Sequence, residues 1–206
     1  MLISETFHGY IETTQDALFV FEGCRRGLLP KICRRLQERE RKMIQSGSIF
    51  VFDERESGIK RWTDGRVWSP SRILGNFLIY REVDKKKSNG DRQVYKQQEQ
   101  QHGTIAKERQ LVGSLSDPYR FKSDGLIKKT MSIVVNGVAQ HLISYYDPQE
   151  VMDAKLRTPS LMPELASLEI SPELLARHHF RVPPMVEPLD PNDPSGQLTP
   201  PDSYGR

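Results

Sequence analysis

The run Lys60-Arg61-Trp62-Thr63-Asp64-Gly65-Arg66-Val67-Trp68-Ser69-Pro70-Ser71-Arg72 interleaves four cations and two tryptophans with small hydroxyl residues around a tight Asp-Gly turn. Arg61 and Arg66 flank that turn, so both guanidinium groups are expected to project from one narrow tip. Such a tip fits the narrow minor groove of A·T-rich DNA, where enhanced negative potential attracts arginine. Thr63, Ser69 and Ser71 are phosphate-bonding types, Arg72 adds a cation at the end, and Gly65 permits close backbone approach. Trp62 and Trp68 admit more than one role. They pack in the core under a loop that merely bridges strands, or they brace a loop whose arginines reach outward. If exposed, they would stack on unpaired bases, as in an RNA-binding module. Lys60-Arg61-Trp62-Thr63 also has the two-basic-residues, spacer, hydroxyl pattern of basophilic kinase substrates, which makes Thr63 a phosphorylation candidate.

The elements that must position this loop can be read on either side of it. Thr6 to Ile11 reads as a short strand. Thr13 and Thr14 offer a cap, and Asp16 puts a negative charge in the first turn of a helix running to about Arg26. Gly27 suits the end of that helix, and Pro30 the first turn of a second one, over about Pro30 to Ile44. At helical spacing Leu29, Ile32, Cys33, Leu36 and Met43 share one side, while Lys31, Arg34, Arg35 and Lys42, with Glu38 among them, share the other. Lys31, Arg34 and Arg35 are therefore expected to hold phosphates, although a solvated face has the same composition. Ser48 to Phe52 and Ile59 to Thr63 read as the two strands of a hairpin. Arg72 to Glu82 reads as a buried element ending in a strand.

From Asp84 the composition shifts to Lys, Gln, Ser and Gly without periodicity, as expected of a flexible insertion. Order returns with Leu126 to Val135 and Val138 to Tyr146, two β-rich runs joined by Asn136-Gly137, the strongest hairpin signal in the chain. Lys128 and Lys129 are weaker phosphate candidates, because adjacent strand residues face opposite ways. After Thr158-Pro159 the chain turns Pro-rich and acidic, with room for a short helix between Pro163 and His179.

Bulk properties narrow the functional classes. Over 206 residues the mean hydropathy is −0.59 and apolar residues make up 36%, low enough that part of the length is expected to lie outside a packed core. The net charge of +3 conceals an asymmetry, since Arg25 to Lys87 carries 17 Lys/Arg against 8 Asp/Glu and leaves the remainder acidic. A basic half joined to an acidic half points to a polyanion-binding domain with a solvated appendage. Cys24 and Cys33 are too far apart for a CxxC motif, and five scattered histidines lack metal-ligand spacing. Phosphate-binding glycine loops and nucleophile elbows are missing, so neither an enzyme, a metal site, a cofactor nor a small-molecule substrate is expected. Nothing reads as a signal peptide or a membrane span, which points away from secretion and from membranes.

Several segments together resemble the WOPR-domain family of fungal transcription regulators. They are Thr6-Phe-His-Gly-Tyr-Ile, Asp16-Ala-Leu, Gly27-Leu-Leu-Pro, Arg39-Glu-Arg, Phe50-Val-Phe-Asp-Glu, Ser57-Gly-Ile-Lys-Arg-Trp-Thr-Asp-Gly-Arg and Trp68-Ser-Pro-Ser-Arg-Ile-Leu-Gly-Asn-Phe-Leu-Ile-Tyr-Arg. Gly125-Leu-Ile-Lys-Lys-Thr, His141-Leu-Ile-Ser-Tyr-Tyr146 and Thr158-Pro-Ser continue the match. The resemblance implies that both halves fold together, that the domain binds a specific A·T-rich site, and that Arg61 to Arg72 is central to DNA contact. Members of the family control morphological switching and development and continue into long low-complexity tails. This chain stops at Arg206, which leaves open a fragment of a longer protein.

The expectation is thus an α+β domain over residues 5–160, with an antiparallel sheet built from two sequence halves (5–86 and 124–160) and helices mainly from the first. The insertion at 87–123 is expected to be flexible and the tail at 161–206 mostly disordered. Double-stranded DNA is the expected partner, other transcription regulators are further candidates, and the nucleus is the expected location. Two alternatives stay open: a co-regulator or scaffold whose basic patch binds an acidic protein, and an RNA-binding module.

Overall fold

The computed structural model of the chain describes residues 3–84, 111 and 121–184. Six antiparallel strands form one sheet, in the order β1-β2-β6-β5-β4-β3. They are β1 (Phe7–His8), β2 (Ser48–Asp53), β3 (Arg72–Leu74), β4 (Phe77–Arg81), β5 (Ile127–Val135) and β6 (Val138–Tyr146). The centre of the sheet is the β5–β6 hairpin. Its turn residues Asn136 and Gly137 have φ of 50° and 75°, and Val135 faces Val138 across it, as a two-residue turn with two positive φ values requires. First-half strands flank this hairpin, with β2 on β6 and β4 on β5, so the two halves build one α+β unit as expected.

Each face of the sheet has its own core. On one side α1 (Thr14–Arg25) packs through Ala17, Leu18, Val20 and Phe21 onto Ile49, Val51, Met131, Ile133 and Leu142. The helix starts where its cap dictates. Thr13 Oγ1 accepts from the Asp16 amide at 3.2 Å, and Asp16 Oδ2 accepts from the Thr13 amide at 3.0 Å. On the other side Phe50, Phe52, Ile143 and Tyr145 meet Ile32, Leu36, Ile44 and Ile59, with Trp62 and Trp68 packed against them.

Three expectations about elements are corrected. The second helix shrinks to one turn, α2 (Glu38–Arg41), and Pro30 to Gln37 is irregular. Ile32 and Leu36 are buried at the spacing of a helix, but the Ile32 amide donates to the Val51 carbonyl, so the segment is tied to the sheet instead of to its own next turn. Lys31, Arg34 and Arg35 therefore share no helical stripe. The hairpin over 48–63 does not form either, because both edges of β2 are taken by β1 and β6. Asp53 instead caps the single turn α3 (Glu54–Ser57) by accepting from the Arg55 and Glu56 amides. Arg72 to Glu82 contains two strands, β3 and β4, which pair across the Gly75-Asn76 turn.

Two short helices follow β6, α4 (Pro148–Met152) and α5 (Pro163–Ala166). The segment after Ser160, expected to be mostly disordered, is partly a strap over α1, with Leu165 and Leu174 buried. Glu22, inside α1, accepts from the amide and hydroxyl of Ser171, and Asn76 accepts from the amides of Arg181 and Val182. Residues 185–206, and most of the insertion expected at 87–123, lie outside the described residues. Within the insertion Leu111 is buried, and its carbonyl accepts from the Tyr146 hydroxyl.

Candidate nucleic-acid interface

The loop from Lys60 to Ser71 is held by two buried carboxylates, Asp64 within it and Glu82 beside it. Asp64 accepts from the Tyr145 hydroxyl at 2.7 Å, from Trp68 Nε1 at 3.0 and 3.1 Å, and from the Arg66 amide at 3.0 Å. Lys128 Nζ stands 3.4 Å from the same group and 4.5 Å above the Trp68 ring. Burial pushes the Asp64 carboxyl up, but Lys128 and the hydrogen bonds from Tyr145, Trp68 and Arg66 outweigh it, leaving the group below its ordinary value. Lys128 is itself lowered, because burial prevails over the attraction of Asp64. Tyr145 closes the network by accepting from Trp62 Nε1 at 2.7 Å. The Trp62 ring is stacked on Phe52, with centroids 5.4 Å apart at 14°.

Both tryptophans are half-buried with their indole N–H groups bonded inside the protein, so neither is the fully exposed stacking platform that an RNA-binding reading would favour. Gly65 turns the tip with φ of 75°, a conformation that favours glycine.

The two arginines expected at the tip separate. Arg61 is exposed and has no partner among the described residues. Arg66 turns inward. Its Nη1 bonds both oxygens of Glu82 at 3.0 and 3.1 Å, and its Nη2 bonds the Ile44 carbonyl at 3.0 Å. With 22% of its side chain exposed, Arg66 fastens the loop to the end of β4 and is not projected toward a ligand. Glu82 also accepts from the Leu126 amide, so one carboxylate joins the loop to the second half of the chain.

The other expected contacts divide in the same way. Thr63 is exposed. Ser69 is buried, donating to the Pro70 carbonyl and accepting from the Arg81 amide, and so is not a phosphate ligand here. Ser71 and Arg72 are half-buried at the foot of the loop, with Arg72 Nη1 on the Ser71 carbonyl. Lys31 pairs with Glu56 at 2.6 Å, and Arg34 grips Glu40 with both terminal nitrogens at 2.8 and 2.9 Å. Arg35 is exposed, with its carbonyl accepting from Arg34 and its guanidinium without a partner among the described residues. Lys128 and Lys129 are withdrawn as phosphate candidates. Lys129 is buried and donates to the Ile11 and Glu12 carbonyls.

Sequence reasoning passed over Asp64, Glu82, Tyr145 and Arg41. The signal for Asp64 was an acid at the tip of a cationic loop, which would repel a polyanion unless satisfied internally. Among the described residues no cluster of His, Cys, Asp and Glu could hold a metal, and no helix is long and apolar enough to cross a membrane.

The geometry is that of a cationic loop braced on the sheet by the buried carboxylates Asp64 and Glu82. The chain belongs to the Gti1/Pac2 family, whose sequence model matches residues 6–106 and 89–147. It is 42% identical over 209 residues to the global transcription regulator sge1 of Gibberella moniliformis, a match covering 86% of this chain and 64% of that protein. It is 36% identical to the cAMP-independent regulatory protein pac2 of Schizosaccharomyces pombe, covering 81% of this chain and 80% of that one. Among solved structures it is similar to the WOPR domain of Wor1 from Candida albicans in complex with 13-bp double-stranded DNA. That likeness has a TM-score of 0.62 and 36% identity over 84% of this chain and 95% of that one. The resemblance to the WOPR family is thereby confirmed, and the family is one of transcription regulators, not of enzymes. The chain spans between 45% and 65% of the length of the sge1-type regulators it matches.

Proposed function

We propose that the chain is the double-stranded-DNA-binding domain of a nuclear transcription regulator, and that it reads an A·T-rich site partly through the minor groove. The observation that carries this reading is the division of labour in the loop. Trp62, Asp64, Arg66, Trp68 and Ser69 are spent on internal bonds, while Lys60, Arg61 and Thr63 are exposed at its surface. A cationic tip fixed in advance meets its ligand with little ordering cost. The likeness to a WOPR domain solved with duplex DNA supports the same reading. Arg61 is the minor-groove residue, Gly65 lets the backbone approach, and Thr63, Ser71, Arg72 and Arg35 hold backbone phosphates. Arg66 contributes by positioning the loop, and Lys31 and Arg34 would have to exchange carboxylates for phosphates to take part.

Fluorescence anisotropy with A·T-rich and G·C-rich duplexes, single-stranded RNA and an acidic peptide as competitors tests the proposal. The A·T-rich duplex is expected to bind most tightly. Arg61→Ala is expected to cost about 1–3 kcal/mol on it, and Arg61→Lys to recover little, since a hydrated ammonium is harder to desolvate in a narrow groove. Full discrimination retained by Arg61→Lys would refute minor-groove reading. Preferential binding of the peptide or the RNA would replace the DNA assignment itself.

A further inference from the structure

Four arginines near the loop and α1 have an acidic partner. Arg25 and Arg26 bond Glu22, Arg34 bonds Glu40, and Arg66 bonds Glu82. Arg41, the last residue of α2, does not. It is half-buried, and its Nε is shielded from solvent without a hydrogen-bond acceptor. Its guanidinium has neither an ion pair nor a hydrogen bond among the described residues. Its Cδ and Nη1 lie 3.8 Å from the point where a Cβ would stand on Gly65, so the side chain runs alongside the tip of the loop.

The carboxylates that could neutralise Arg41 from these two elements are already engaged. Glu40, one residue before it, accepts from Arg34 and from the amides of Ile3 and Gln37, and the Arg34 guanidinium holds its carboxyl below the usual range. Asp64, one residue before Gly65, is filled by Tyr145, Trp68, Lys128 and the Arg66 amide. A partly desolvated guanidinium with an unmet N–H is costly, and such a group calls for a ligand from outside. Gly65 leaves the space beside it clear of any side chain.

We infer that Arg41 is a second DNA-contacting cation, a phosphate clamp standing beside the Gly65 tip. The inference rests on the DNA-binding reading above. A phosphate, not a base, is the partner, because Arg41 projects from α2 next to the tip and not from the tip itself. The planar fork of a guanidinium matches a phosphate's oxygens, and contact there fixes the register of the loop without reading sequence.

The test uses the full chain carrying Arg41→Met or Arg41→Lys. Methionine keeps an apolar stem beside Gly65 and removes the charge. Thermal unfolding is compared with anisotropy on A·T-rich and G·C-rich duplexes over a range of salt. For Arg41→Met the unfolding midpoint is expected to hold or rise, since a half-buried unpaired charge is lost. Affinity should fall about tenfold or more on both duplexes alike, because hydrogen bonds to charged groups are the stronger ones. The slope of log affinity against log salt should flatten by about 0.9, the value for one phosphate. Arg41→Lys should recover part of both, as a point charge still attracts a phosphate. A midpoint that drops in step with affinity would make Arg41 structural, and a loss confined to the A·T-rich duplex would make it a base contact. Wild-type protein that binds while Arg41→Met binds equally well overturns this assignment alone. Wild-type protein that binds neither duplex overturns the DNA-binding reading with it.

Discussion

Asp64→Asn is the sharpest probe of the loop's support, because it preserves shape and removes the charge on which four donors converge. An asparagine at this position must turn its NH2 toward at least one of the Tyr145 hydroxyl, Trp68 Nε1 or Lys128, donor against donor. Lys128, with 12% of its side chain exposed, is left without its counter-charge. Breaking a buried pair by removing one partner costs about 3–5 kcal/mol. For a domain of this size each kcal/mol moves the unfolding midpoint by about 2–4 °C, so a fall of about 6–20 °C is expected. Lys128→Met in the same chain should restore part of that loss, a coupling of about 0.5–3 kcal/mol in a double-mutant cycle. Read by thermal unfolding and, below the transition, by anisotropy on an A·T-rich duplex, Asp64→Asn should lower both stability and affinity. A destabilisation under about 1 kcal/mol would refute the network as a support. Full stability loss with unaltered affinity of the folded protein would show that the network holds the fold but does not position the loop.

Other outcomes follow from the same geometry. Arg66→Ala should destabilise by about 3–5 kcal/mol, because Glu82 stays buried without its guanidinium, whereas Arg61→Ala should leave stability within about 0.5 kcal/mol; equal effects in chemical denaturation would contradict the inward placement of Arg66. Burial raises the Glu22 carboxyl, but Arg25, Arg26 and Ser171 outweigh it and bring it to about 2. A carboxyl depressed on folding stabilises fully above its unfolded value near 4.5 and loses that contribution as pH falls toward 2, so Glu22→Gln should flatten the acid limb of stability against pH between those limits. Cutting the chain after Ser160 removes Leu165 and Leu174 from the core and should cost about 3–6 kcal/mol from apolar burial alone, measured by urea unfolding. Phosphorylation of Thr63 would place about −1.5 to −2 charge two residues from Arg61 and should weaken duplex binding; equal affinity of phosphorylated and unmodified protein would sink that switch.

The legible parts of the fold were those fixed by local chemistry. Thr13 and Asp16 mark the start of α1 because the capping box lies within four residues, and Asn136-Gly137 marks the central hairpin because few other residues accept two positive φ values. What misled was periodicity without context. Ile32 and Leu36 repeat at the spacing of a helix, yet the partner of the Ile32 amide is Val51, a contact no local pattern encodes. The strap was missed for a related reason. Leu165 and Leu174 sit among prolines and acids, and only tertiary packing on α1 and the sheet, with Glu22 buried to receive Ser171, makes their burial favourable.

At the candidate interface, residue types located the loop but not the direction of its side chains. Counting charge made the basic half look like one continuous cationic surface, and the structure shows why that count overstates it. Several acids of this half are engaged by cations, whereas Glu38 with Lys42 stays on a solvated face. Glu40, Glu56, Asp64 and Glu82 each take up cations, Arg34, Lys31, Lys128, and Arg66 with Lys122, and Glu22 just before this half takes Arg25 and Arg26. The pairing organises the loop and withdraws those cations from a ligand. Arg35, Arg39, Arg41, Arg55, Lys60, Arg61 and Arg72 remain without acids among the described residues. A polyanion surface built this way gains rigidity at the expense of charge density. Under the proposed DNA-binding reading, that trade favours recognition of one shaped groove over loose attraction to any phosphate backbone.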